Sequence, residues 1–94
     1  MYNKYMEIEF DPTKEEANRA KHGVSMSLAA ELEWETAPIW QDTRKDYGER
    51  RMSGLALWGQ RLFCVAFTER GDALRIISLR KANRREVRFY VHEN

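Results

Sequence analysis

The chain has one cysteine, Cys64, in 94 residues, so it has no disulfide framework and no cysteine-rich metal site. No apolar run approaches the roughly 18 residues that a membrane-spanning helix needs. The opening segment, MYNKYMEIEF, lacks the basic and apolar regions of a secretory signal, so a cytoplasmic location is expected. Repeats, low-complexity tracts and linkers are also missing, and residues 1–94 read as a single domain. The phosphate-loop pattern GxxxxGK[ST], the dinucleotide pattern GxGxxG and the nucleophile elbow GxSxG do not occur. Histidine is scarce: His22 and His92 have no carboxylate or thiol at ligand spacing. No metal and no cofactor are therefore expected, although a lone carboxylate-bound Mg²⁺ stays open.

Charge is plentiful but unevenly placed. The net charge is +1. Residues 1–47 hold six Lys/Arg against ten Asp/Glu, and residues 48–94 hold ten against five. Nine of those ten cations are arginine, whose planar fork suits phosphate and stays charged when half buried. The densest stretch is RIISLRKANRREVRFY, residues 75–90. An arginine-rich half suits an anionic partner such as nucleic acid, or simply solvates exposed strand faces.

Periodicity orders the elements. Tyr5 to Phe10 alternates as a strand, and Asp11-Pro12 breaks it. Thr13 and Glu16 have capping-box spacing for a helix from about Lys14 to His22, which Gly23 ends. Ser25 caps a second helix, about Met26 to Glu35, with Leu28, Ala29, Leu32 and Trp34 as its apolar stripe. Strands follow at 39–41, 51–58, 62–68 and 73–80, with Gly54 a bulge or a point of close approach. Asn83 and Glu86 open a final helix whose apolar side is Val87, Tyr90 and Val91. The expected fold is α+β, with helices on an antiparallel meander sheet in the order β-α-α-β-β-β-β-α. Phe63, Phe67 and Trp58 read as core.

Each candidate for chemistry has an ordinary reading beside it. Arg80, at a strand end before a helix start, either holds a phosphate with the helix N–H groups or pairs with Glu86. Lys21 and His22 suit the C-terminal end of a helix dipole, or a phosphate and its base. Glu49 is an exposed partner for neighbouring arginines, or a base. Arg70 flanks a turn. Strict alternation puts Ser78 and Arg80 on one sheet face and Arg75 on the other. With a two-residue turn at Gly71-Asp72, Phe63 pairs with Arg80, and Arg70 shares a face with Thr68 and Arg75. A bulge is then needed to bring Arg70 and Arg80 together.

Three segments together resemble the BrnT family of type II toxins. They are FDPTKEEANRAKHGVS at 10–25, DTRKDYGERR at 42–51 and TERGDALRIISLRKANRREVRFY at 68–90. Phe10 stands where Trp is more usual, and Leu79 where Ala is common. The resemblance implies a RelE-like fold and a metal-independent endoribonuclease that blocks translation. It also implies a BrnA-like antitoxin that binds DNA, so that the toxin meets DNA only through it, in a hetero-oligomer that could include a toxin dimer. Carried over by position, the family's motif residues fall on Lys21, His22, Glu49, Arg51, Arg70, Ser78, Arg80 and Tyr90. Arg80, His22, Glu49, Arg70 and Lys21 are the candidates for chemistry, and Arg51, Ser78, Arg75 and Tyr90 for substrate binding. The acidic first half, with its helices at 14–35, is expected to form part of the antitoxin surface. The alternative function is a non-catalytic RNA- or protein-binding module.

Overall fold

The computed structural model of the chain describes residues 2–3 and 5–93. The elements run β1 (Glu7–Glu9), α1 (Pro12–His22), two 3-10 turns (Met26–Glu31 and Trp34–Thr36), β2 (Ile39–Gln41), β3 (Met52–Trp58), β4 (Arg61–Arg70), β5 (Ala73–Lys81) and α2 (Arg84–Glu93). The fold is α+β. Its five-stranded sheet has the order β1-β5-β4-β3-β2. It is mixed rather than antiparallel, because β1 returns beside β5 in parallel register, Glu7 opposite Ala73 and Glu9 opposite Arg75.

Helix α1 starts two residues earlier than the capping-box spacing suggests. Asp11 is its N-cap and accepts the Lys14 N–H at 3.0 Å, with Pro12 in the first turn. Pro there has no N–H to satisfy and a φ already suited to a helix, which outcompetes Thr13. Gly23 ends the helix in the left-handed region, at φ 70°. Ser25 does cap the next segment, but that segment is 3-10 rather than α. The Glu15 carboxylate accepts the Ser25 hydroxyl at 2.6 Å and the Met26 N–H at 2.7 Å, tying the turn to α1.

One sheet face carries the core. Met26, Ala29, Leu32 and Trp34 pack there against Phe63, Val65 and Phe67 of β4 and Leu74, Ile76 and Leu79 of β5. Trp34 and Phe67 meet edge-to-face at 5.4 Å, and the Trp34 indole N–H donates to Ala29 O at 2.8 Å. Phe10 and Leu79, the two departures from the family pattern, both pack into this core. Gly54 is a point of close approach: a Cβ there would meet Ile39 Cγ1 at 3.1 Å and Pro38 O at 3.4 Å. Trp58, expected in the core, is 47% exposed at the end of β3. Helix α2 also departs from expectation, since Val87 and Val91 face outward and none of its residues is fully buried. Its apolar contact with the sheet runs instead through Phe89, whose ring lies 5.8 Å from that of Trp40. Among the described residues no helix is long and apolar enough to cross a membrane.

Candidate active site

The face away from the core is set by the β4–β5 register. Thr68 pairs with Arg75 and Phe67 with Ile76, but Ala66 pairs with Ser78 and Cys64 with Arg80. Ile77 is therefore an extra residue, a bulge opposite Ala66/Phe67. The bulge corrects two expectations. Phe63 faces Lys81 rather than Arg80. Arg75 shares its face with Ser78 and Arg80, because the slip carries Leu79 into the core after Leu74 and Ile76. Arg70, Thr68, Ala66 and Cys64 alternate onto this same open face.

Helix α1 reaches that face from the sheet edge. β1 covers β5 only to Arg75, so farther along β5 the edge away from β4 has no strand beside it. Asn18 takes that role: its amide N–H groups donate to Leu79 O at 2.9 Å and Val24 O at 2.8 Å, and its carbonyl accepts the Leu79 N–H at 3.0 Å. Buried on the first helical turn before Lys21 and His22, Asn18 sets how those two side chains stand against Ser78 and Arg80.

The result is a cleft of about 530 Å³ on the open face. Lys21 and His22 of α1, Ser78 and Arg80 of β5, and Arg44 of the loop after β2 line it. Glu86 holds Arg80 in a bidentate pair, with Nη1 at 2.8 Å and Nη2 at 2.9 Å from the two carboxylate oxygens. The Glu86 carboxylate also accepts the Asn83 N–H at 2.9 Å, and Asn83 Oδ1 accepts the Glu86 N–H at 2.8 Å, closing the capping box. Both readings of Arg80 thus meet in one place: it is paired to Glu86, and it lines a cationic cleft beside a helix start. Glu86 and Lys81 O engage three of its N–H groups, so the Nε–H and one Nη2–H are left for a ligand.

Asp42 does the same for Arg44. Its buried carboxylate accepts the Arg44 backbone N–H, Nε at 2.9 Å and Nη2 at 2.8 Å, and the Tyr47 hydroxyl at 3.0 Å. The hydrogen bonds from Arg44 hold the Asp42 carboxyl far below the usual carboxylate range, against the opposing pull of burial. Sequence reasoning missed Arg44 as a site residue. The signal was present in Asp42-Thr43-Arg44, an aspartate two residues before an arginine at a strand end.

Three cations (Lys21, Arg44, Arg80) and two carboxylates (Asp42, Glu86) line the cleft. Each carboxylate orients one arginine. Arg44 and Arg80 are near enough for the charge of one to disfavour that of the other, so an anion between them relieves their repulsion. Burial, then the Lys21 and Arg80 charges, push the His22 pKa below its usual 6.5. The imidazole is therefore neutral near pH 7, as a proton acceptor must be. Burial pushes the Cys64 thiol up to about 11, with a smaller opposing pull from Arg80, so it stays protonated and is no nucleophile. Among the described residues no three of His, Cys, Asp or Glu gather as a metal-ligand set.

The remaining candidates lie outside the cleft lining. Glu49 and Arg70 pair at 3.7 Å, each about half exposed. Glu49 is thus held by an arginine outside the cleft rather than beside Arg80. Arg75 pairs with Glu9 at 3.5 Å, and the Arg51 guanidinium lies over the Tyr47 ring at 3.8 Å. Tyr90 is half buried on α2.

A family model described as ribonuclease toxin, BrnT, of type II toxin–antitoxin system matches residues 10–86. The chain belongs to the BrnT family. The match takes in α1, the Asp42–Arg44 loop, the four strands β2 to β5 and the Glu86 that holds Arg80. No curated protein matches the chain. BrnT membership makes this a ribonuclease toxin of the type II class, and that class implies an antitoxin partner.

Proposed function

We propose that the chain is a metal-independent endoribonuclease, RelE-like in fold, that cleaves RNA by attack of the 2′-OH on the adjacent phosphorus. The observation that carries this reading is a neutral histidine facing two carboxylate-oriented arginines in one cleft. RNA brings its own nucleophile, so the protein must position it, remove its proton and stabilise charge, while solvent water supplies the proton to the leaving 5′-oxygen. His22 takes the 2′-OH proton. Arg80 and Arg44 bind the non-bridging oxygens, where one well-placed donor is worth about 3 kcal/mol of barrier. Lys21 steers the backbone, and Ser78 offers a hydroxyl to the phosphate. Arg70 and Arg75 lie farther along the same sheet face and, with Arg51 just before β3, extend the electrostatic track for the chain, while Glu49 holds Arg70.

In the cell, the free toxin acts in the cytoplasm and inhibits translation by consuming RNA. A BrnA-like antitoxin neutralises it in part through α1 and the 3-10 turns, where Glu15, Glu16, Glu31, Glu33 and Glu35 outnumber Lys14, Arg19 and Lys21, and any contact with DNA is the antitoxin's. Product analysis tests the chemistry. The reading expects 2′,3′-cyclic phosphate and 5′-hydroxyl ends, with DNA of the same sequence left intact because it lacks the 2′-OH. Products with 5′-phosphate ends, or cleaved DNA, contradict it.

A further inference from the structure

Trp40 has no part in the mechanism above, yet it lines the cleft with His22 and Arg80. It also walls a second depression of about 400 Å³, with Leu55, Phe89, Arg85 and Glu86 as the other walls. β2 places Trp40 opposite Ser53, and Ser53 pairs with Ala66, so the indole stands on the open face. Phe89 backs it edge-to-face, with ring centroids 5.8 Å apart at 71°. The core aromatics Trp34 and Phe67 make a similar contact and keep 2% and 0% of their surface. Trp40 and Phe89 keep 40% and 44%. The pair anchors α2 on the sheet and still leaves ring surface uncovered. It stays open at the lip of a cationic cleft.

An aromatic face beside phosphate-binding cations suits an unstacked nucleobase, which every base offers as a π surface. The depression continues directly from the cleft through the shared indole, so a chain whose phosphate sits at Arg80 delivers its neighbouring base there. Gln41 and Thr43 line the cleft together with Trp40. We propose that Trp40, backed by Phe89, is a stacking shelf for the nucleobase next to the phosphate at Arg80. The shelf rests on the ribonuclease reading and adds a base subsite to it.

The test is binding of a short 2′-fluoro oligoribonucleotide, which lacks the attacking hydroxyl, beside a base-free sugar-phosphate chain of equal length. Wild type, W40A and W40F are compared by fluorescence anisotropy. Trp40→Ala is expected to weaken the oligonucleotide about five- to hundredfold, the usual range for losing one base stack. Trp40→Phe recovers most of that loss, and the base-free chain binds wild type and Trp40→Ala alike. Equal loss on both chains means that Trp40 only supports the fold, and it overturns the shelf. Undiminished oligonucleotide binding by Trp40→Ala overturns the shelf alone and leaves the groove to a protein occupant. Wild type that holds neither chain overturns the ribonuclease reading and the shelf with it.

Discussion

His22 shows how a local charge environment selects a role. By its place in the chain it is a helix-terminal cation that complements the dipole. Burial and two neighbouring cations keep it neutral instead. The acid limb of the cleavage rate should therefore fall at a pH below 6.5, the ordinary histidine value, and should vanish with the activity in His22→Ala. An acid limb above 6.5, or full activity in His22→Ala, would remove His22 from the base role. The same shift bears on stability. As pH falls through 6.5 the unfolded His22 takes up its proton first, so the folded state loses ground below that point. Residue types alone made His22, Lys21 and Arg80 visible. They could not show that Arg44 joins them, because the loop that brings it to the rim of the cleft is fixed by the burial of Asp42.

At the scale of elements, Asn18 is the hinge-pin between α1 and β5. Its side chain stands in for a missing strand, and its loss leaves the Leu79 N–H and C=O and the Val24 C=O without their partner. Asn18→Ala should lower stability by about 2–4 kcal/mol, given the cost of each buried group left unpaired. It should also reduce cleavage at temperatures where the variant is folded, because Lys21 and His22 lose their anchor. Denaturant unfolding and cleavage rates check both, and an unchanged midpoint would contradict the role. Helix α2 depends on Glu86. Its pairing with Arg80, and then the Asn83 N–H, hold the carboxyl below the usual 4.5 despite partial burial. That contribution is complete above 4.5 and is lost as pH falls through the lower folded-state value. Glu86→Gln should cost about 1 kcal/mol at neutral pH, the pair being partly exposed, and should flatten the acid loss. Thermal melts between pH 3 and 7 would show it. A Glu86→Gln melt that tracks the wild type at every pH would rule it out.

Caps and turns at this scale were legible where one residue decides them, as at Gly23, Ser25 and Asn83. The β4–β5 register was not, because period-2 alternation assumes no extra residue. Leu74, Ile76 and then Leu79 break that period by one step, and only the cross-strand packing shows that Ile77 absorbs it. The parallel β1–β5 pairing was equally hidden, since strand partners far apart in the chain leave no local mark. Trp58, Val87 and Val91 misled for the opposite reason. Apolar spacing marks a face, and here that face is left largely open.

Across the whole molecule, both halves of the chain build the cleft. The acidic half supplies α1, the turns that cover the core, β1 and β2, and with them Lys21, His22 and Arg44, while the arginine-rich half supplies β3, β4, β5 and α2, and with them Arg80 and the Glu86 that holds it. The two halves meet where α1 ends, at His22 and Arg80. That junction is the centre of the account, and one assay tests it most directly. The chain, free of any partner, is incubated with RNA and ribosomes in excess EDTA beside Arg80→Ala, with circular dichroism to confirm that both are folded. The account predicts cleavage by the wild type with cyclic-phosphate ends, and a loss of roughly a hundredfold or more in Arg80→Ala. A folded Arg80→Ala that cleaves like the wild type, or a wild type that leaves RNA whole, would contradict it.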